Sequence, residues 1–161
     1  MALPGSIPLY TRLRREIANA QDPDPAPHVA TRLAEVHHRS FPMAAMRRPA
    51  SGQYNCHGLT FANRRTGIYN PKDVEAILSD DGYRRISAAE AQPGDIVTCH
   101  DGTEVSHTAV ITRIERSEAL IGGQAVWLLS KWGQAGEYLH TLGEGPYKEH
   151  RVVFWTERPL Q

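Results

Sequence analysis

Apolar side chains recur every three or four residues in the first half of the chain and every two in the second. Leu9, Leu13 and Ile17 keep helical spacing behind Pro8, a good first helical residue. The run Asp22-Pro23-Asp24-Pro25-Ala26-Pro27 breaks that helix. A second helix is predicted with Val29, Leu33 and Val36 on one face, and Pro42 and Pro49 bracket an irregular link. A short helix over 54–64 carries Leu59 and Phe61. Another starts at Asn70-Pro71, turns Val74, Ile77 and Leu78 inward, and ends at Asp81-Gly82. Ser87 and Glu90 have capping-box spacing, and Pro93-Gly94-Asp95 is a turn. The period then changes. Strands are predicted over 96–99, 106–114, 126–130 and 151–155, with His100-Asp101-Gly102 as a hairpin turn and Gly122-Gly123 as loop. Helices first and an antiparallel sheet afterwards make an α+β arrangement, N-terminal helices packed on the sheet.

Composition narrows the class without naming it. The chain has 161 residues, enough for one compact domain with one core. Lys plus Arg equals Asp plus Glu at 18 each, so no charge excess points to nucleic acid or to an anionic membrane. Arg12-Arg14-Arg15 and Arg47-Arg48 read as short solvated clusters. No segment is long and apolar enough to span a bilayer. The first residues show no secretory signal, so a cytoplasmic start is expected, with export by a route that needs no cleaved signal left open. The two cysteines, Cys56 and Cys99, are expected as free thiols. Neither Cys-x-x-Cys nor His-Glu-x-x-His occurs, so no metal or other cofactor is expected.

Cys56 carries the chemistry. It lies near a predicted helix start, after the turn-prone Gly52 and Asn55, where unpaired backbone N–H groups and the helix dipole favour a thiolate. The same N–H groups suit a developing oxyanion. A thiol nucleophile also needs a base. His57 is adjacent on the helix and points about 100° away, so it is read as lining the site rim. His107 opens the strand over 106–114 and is the better base. A loop centred near 118–119 would place Ser130 opposite His107, where it orients the imidazole as the third member of a triad. His140, Glu137 and Gln134 remain alternatives for that role, Gln53 is a candidate oxyanion donor, and Asn55 is a candidate oxyanion or rim residue. Cys99, Trp127, Trp132 and Trp155 read as core or cleft wall. Gly133 and Gly136 answer backbone demands, and Tyr138 and Tyr147 are groove-lining or packing residues.

Three stretches resemble one family. Tyr54-Asn55-Cys56-His57-Gly58-Leu59-Thr60 resembles the Asp-Cys-Ser-Gly-Leu nucleophile motif of the NlpC-type cell-wall peptidases. Pro93-Gly94-Asp95-Ile96-Val97 resembles their Pro-Gly-Asp-Leu-Val segment, and Ser106-His107-Thr108-Ala109-Val110-Ile111 their His-Val-Gly-Ile strand. Ser130-Lys131-Trp132-Gly133 is similar to papain's Asn-Ser-Trp-Gly element. Asn55 replaces the family's Asp, His57 its Ser, and Ser130 papain's asparagine. The resemblance covers about residues 52–135. It implies a papain-like fold over 51–161, a cysteine peptidase or amidase, and an acyl-thioenzyme on Cys56. The implied substrate is a peptide or a peptidoglycan stem peptide. An exported bacterial toxin effector or a phage lytic enzyme, held by an inhibitor or immunity partner protein, fits that reading. An intracellular protease, deamidase or acyltransferase acting on protein is a rival, as is an inactive papain-like binding module. Residues 1–50 form a helical extension outside the resemblance, a cover for the cleft or a docking arm.

Overall fold

The computed structural model describes residues 5–160. Seven strands form one antiparallel sheet, and three α-helices pack on its two faces. The elements in chain order are α1 (Pro27–Ser40), β1 (Ala45–Arg48), α2 (Cys56–Phe61), α3 (Pro71–Asp80), β2 (Arg84–Ile86), β3 (Ile96–Asp101), β4 (Glu104–Arg116), β5 (Gln124–Lys131), β6 (Glu137–Thr141) and β7 (Arg151–Thr156). The strand order is β1-β6-β5-β4-β3-β7-β2. This is the α+β class the pattern predicts. Among the described residues no helix is long and apolar enough to cross a membrane.

Local chemistry sets the two helices that position the site. Asn55 caps α2 by accepting from the Gly58 amide. Asn70 caps α3 from Lys72, and Pro71 fills its first turn. Val74, Ile77 and Leu78 of α3 are buried with Ile96 of β3 and Val105 of β4 on one face of the sheet. On the other face Val97, Ala109, Ile111, Val126 and Leu128 pack together. There α1 rests Leu33 and Phe41 on Trp132 and Tyr138.

Several expectations are corrected. Residues 9–17 form no helix. They fold as a tight loop closed by a Tyr10–Glu16 bridge, with Arg14 at φ 62° and Leu13 exposed; Ile17 is buried in the core and Leu9 packs against it. The thirteen residues between Pro8 and the run starting at Asp22 are a marginal length for a helix without packing. In α1 the packing stripe is Leu33, His37 and Phe41, while Val29 and Val36 face solvent. His100 and Asp101 remain in β3, and the hairpin turns at Gly102-Thr103 with a bulge near Ser106. Gly122-Gly123 lies in a short 3-10 turn. The link between Pro42 and Pro49 contains β1, which pairs with β6, and β2 pairs with β7. Residues 5–50 thus supply both core and sheet. Trp127 is half-buried under the Arg113 guanidinium, whereas Trp132 is core.

Candidate active site

The β4–β5 ladder begins at Val110↔Leu129 and runs toward Arg116. Before Val110 the two strands diverge, and β5 continues against β6 as far as Lys131↔Glu137. Ile111 exchanges its backbone bonds with the residues leading into β3. Backbone groups alternate along a strand, so the Thr108 N–H faces β5, into the opening. Donation from the Thr108 backbone, and from the backbones of His57 and Cys56, lowers the Cys56 thiol. These three donors favour a thiolate, but burial outweighs them and pushes the thiol up to about 11. Cys56 is 7% exposed. The dipole argument for a resting thiolate is therefore corrected: α2 is a six-residue helix, and the sulfur it presents is protonated.

His107 reaches across the same opening from the other face. The Thr108 side chain meets α2, bonding Thr60 at 3.0 Å and His57 at 2.9 Å, so His107 points away from α2. Its ring stacks flat on Tyr147, centroids 4.0 Å apart. His107 Nε2 lies 3.1 Å from Ser130 Oγ, and Ser130 Oγ lies 2.8 Å from His140 Nε2. His140 Nδ1 lies 2.8 Å from the Thr141 carbonyl. Burial depresses both histidines below their ordinary range, so both rings are neutral. A carbonyl only accepts, so His140 carries its proton on Nδ1. Its Nε2 then accepts from the Ser130 hydroxyl, and the Ser130 oxygen accepts from His107 Nε2–H. The chain of donors leaves a lone pair on His107 Nδ1. That atom is buried and has no partner. No Cys56–His107 hydrogen bond is made; the thiol lies with α2, and the imidazole points to the opposite face of the sheet.

Ser130 is not directly opposite His107. Ser130 pairs with Tyr138, and the β4–β5 register is two residues off the expected one. A two-residue offset preserves the face, so the contact survives as a diagonal one. His140 joins Ser130 rather than replacing it. Glu137 lies apart from this relay, bound to both Arg64 nitrogens at 2.6 and 2.9 Å and to the Tyr54 hydroxyl. Gln134 is exposed.

The other predicted site residues are corrected. His57 is not at a rim. It is buried, with Nδ1 3.7 Å from the sulfur and 2.9 Å from Thr108 Oγ1, and burial lowers it to about 4. Asn55 faces no oxyanion. Its Oδ1 holds the Gly58 and Ile68 amides, and its Nδ2 donates to the Ile68 carbonyl. The Gln53 amide donates to the Asp22 carbonyl. Cys99 is free and buried directly opposite His107 in β3.

Two residues escaped the sequence reading. Tyr147, weighed only as groove or packing, stacks on the His107 ring. Lys131 is wholly buried; its Nζ donates to the Ser51 and Gly133 carbonyls, both at 2.6 Å, and sits 4.9 Å from the Tyr54 ring centroid. Burial pulls its amine down to about 8, against the nearby Cys56 and Glu137. A lysine between Leu129 and Trp132 was a visible signal of burial. Among the described residues, no three His, Cys, Asp or Glu side chains converge to hold a metal. Compared with known proteins, the chain matches no protein-family model, no curated protein and no solved structure.

Proposed function

We propose that this chain is a cysteine hydrolase of papain-like, NlpC-related architecture that cleaves an amide or peptide bond. Cys56 is the nucleophile and His107 the base. One observation carries the reading: a three-member relay ties up His107 Nε2 and leaves its buried Nδ1 lone pair without a partner, free to take a proton. A buried acceptor without a donor costs about 1–3 kcal/mol, and a proton to be taken from Cys56 accounts for it. On attack, His107 Nδ1 receives the thiol proton as sulfur bonds to the carbonyl carbon. The Cys56 backbone N–H, at the start of α2, helps stabilise the developing oxyanion. The proton then passes to the leaving amine, and water releases the acyl group.

The substrate class follows the motif resemblance: a peptide, with a peptidoglycan stem peptide first and a protein second. Purified cell wall and a cell lysate, each incubated with the protein, separate the two. Released muropeptides support the first, and a processed protein supports the second. Both must disappear in Cys56→Ala and in His107→Ala. Turnover that survives Cys56→Ala sinks the proposal.

A binding module that keeps this architecture without turnover is the second reading. The protonated, 7%-exposed thiol favours it. Under that reading neither substrate is processed, and Cys56→Ala leaves every property unchanged.

A further inference from the structure

On the α3 face of the sheet, between α3 and the β2–β7–β3 edge, lies a cleft of about 320 Å3. That volume is at the small end of small-molecule sites. Its floor is Leu78, Tyr83 and Trp155. Arg85 stands directly opposite Trp155, and Arg151 directly opposite His100, so all four share one face. The Arg85 guanidinium lies 5.2 Å from the Trp155 ring centroid. Arg12, Arg15, Arg48, Arg64 and Arg158 each pair with a carboxylate. Arg85 and Arg151 form neither an ion pair nor a side-chain hydrogen bond among the described residues. Glu75 on α3 is the one carboxylate lining the cleft.

His100 supplies the decisive observation. It is 8% exposed, and its Nδ1 is buried with no hydrogen-bond partner. The Thr103 carbonyl flanks the ring without meeting hydrogen-bond geometry. Thr98 Oγ1 accepts the Trp155 indole N–H at 2.9 Å and lies 2.7 Å from His100 Nε2. The buried Thr98 hydroxyl needs an acceptor for its own proton, and His100 Nε2 is the acceptor within reach. His100 therefore carries its proton on Nδ1, a donor with nothing to donate to. Two guanidiniums without a carboxylate partner and one unpaired N–H, beside an aromatic floor, are complementary to negative charge on a flat body.

We propose that this cleft binds a small anion, a carboxylate or a phosphate monoester, carried on a planar apolar ring. The guanidiniums of Arg85 and Arg151 and the His100 Nδ1–H hold the anionic group. Trp155 and Tyr83 take the ring. Benzoate and phenyl phosphate test it by calorimetric titration of the full chain, with benzyl alcohol and inorganic phosphate as controls. Saturable one-to-one binding of either aromatic anion is expected, and the tighter one identifies the anionic group. Arg85→Gln and Arg151→Gln are exposed changes, and each weakens that binding about ten-fold or more. In parallel, the Trp155 indole N–H resonance shifts on titration. Four outcomes overturn the proposal. These are no saturable binding of either anion, affinity unchanged in both arginine variants, benzyl alcohol binding as tightly, or inorganic phosphate binding as tightly. The measurement needs no turnover, so it stands or falls apart from the hydrolase reading.

Discussion

A neutral thiol beside a neutral imidazole behaves differently from a ready-made ion pair. Burial holds the Cys56 proton on sulfur up to about 11, and burial keeps protons off His107 well below its ordinary range. The thiolate therefore emerges only as pH climbs toward 11. Iodoacetamide labelling of Cys56, mapped by peptide mass, should accelerate about ten-fold per pH unit from 7 to 10. A plateau reached by pH 8 would establish a resting ion pair instead. Ser130 is the pivot of the relay, and Ser130→Ala strands His107 Nε2–H and His140 Nε2 together. Turnover by the proposed hydrolase should then fall about 10- to 100-fold, part of the 10²–10⁴-fold a positioned base contributes. Urea unfolding should show a loss of about 1–3 kcal/mol for the orphaned donor. An unchanged rate would remove Ser130 from the site. Much at this scale was legible. Cys56 and His107 were singled out by residue type and by neighbours, and the Ser130 contact tolerated a two-residue register error because the face is unchanged. The tautomer was not legible. It depends on which carbonyl His140 meets, and no side-chain pattern encodes that.

The helix that carries Cys56 is anchored through backbone groups at its start. Asn55 spends its whole amide on Gly58 and Ile68, joining the start of α2 to the chain after it. Gly58 then lies against the Thr66 carbonyl, where an added Cβ would stand 1.9 Å from oxygen and 3.0 Å from the carbonyl carbon. Backbone cannot give way as a flexible side chain can. Gly58→Ala should therefore cost on the order of 3 kcal/mol in urea unfolding, and surviving activity should be lost with the shift of α2. A cost under about 0.5 kcal/mol would mean that α2 is not seated as described. The glycine of the Cys-His-Gly-Leu stretch is thus a packing requirement of α2. Sequence reading found α3 by its Asn70-Pro71 start and α2 by Leu59 and Phe61, without the Asn55 cap that the structure shows. It failed on residues 9–17, where helical spacing of three apolar residues coincided with a loop. It also missed β1, β2 and β6, because strands of three to five residues carry too few alternations to register.

At the scale of the whole molecule, the sheet divides polar work between its faces. The thiol, His57, Lys131 and the Arg64–Glu137 pair belong to the α2 side, and the His107–Ser130–His140 relay to the other. His100 adds a buried ring beside the anion cleft. His57, His100, His107 and His140 are all buried, and burial depresses each below the value it has in the unfolded chain. The direction of the linkage follows. A depressed base binds protons more readily unfolded than folded, so its contribution to stability is intact above about pH 6.5 and fades as pH falls. Each ring that stays neutral costs about 1.4 kcal/mol per pH unit below that point. The carboxylates of Asp95 and Glu137 are lowered by their arginines, so they remain charged through this window and do not mask the effect. Thermal unfolding at pH 7.5 and at pH 5 should therefore differ by about 10 °C, with the acid sample less stable. His140→Gln removes one titrating ring and should narrow that gap, whatever it does to stability at pH 7.5. A melting temperature flat from pH 7.5 to 5 would mean that these rings accept protons in place, and the fixed tautomer assigned to His107 would go with them.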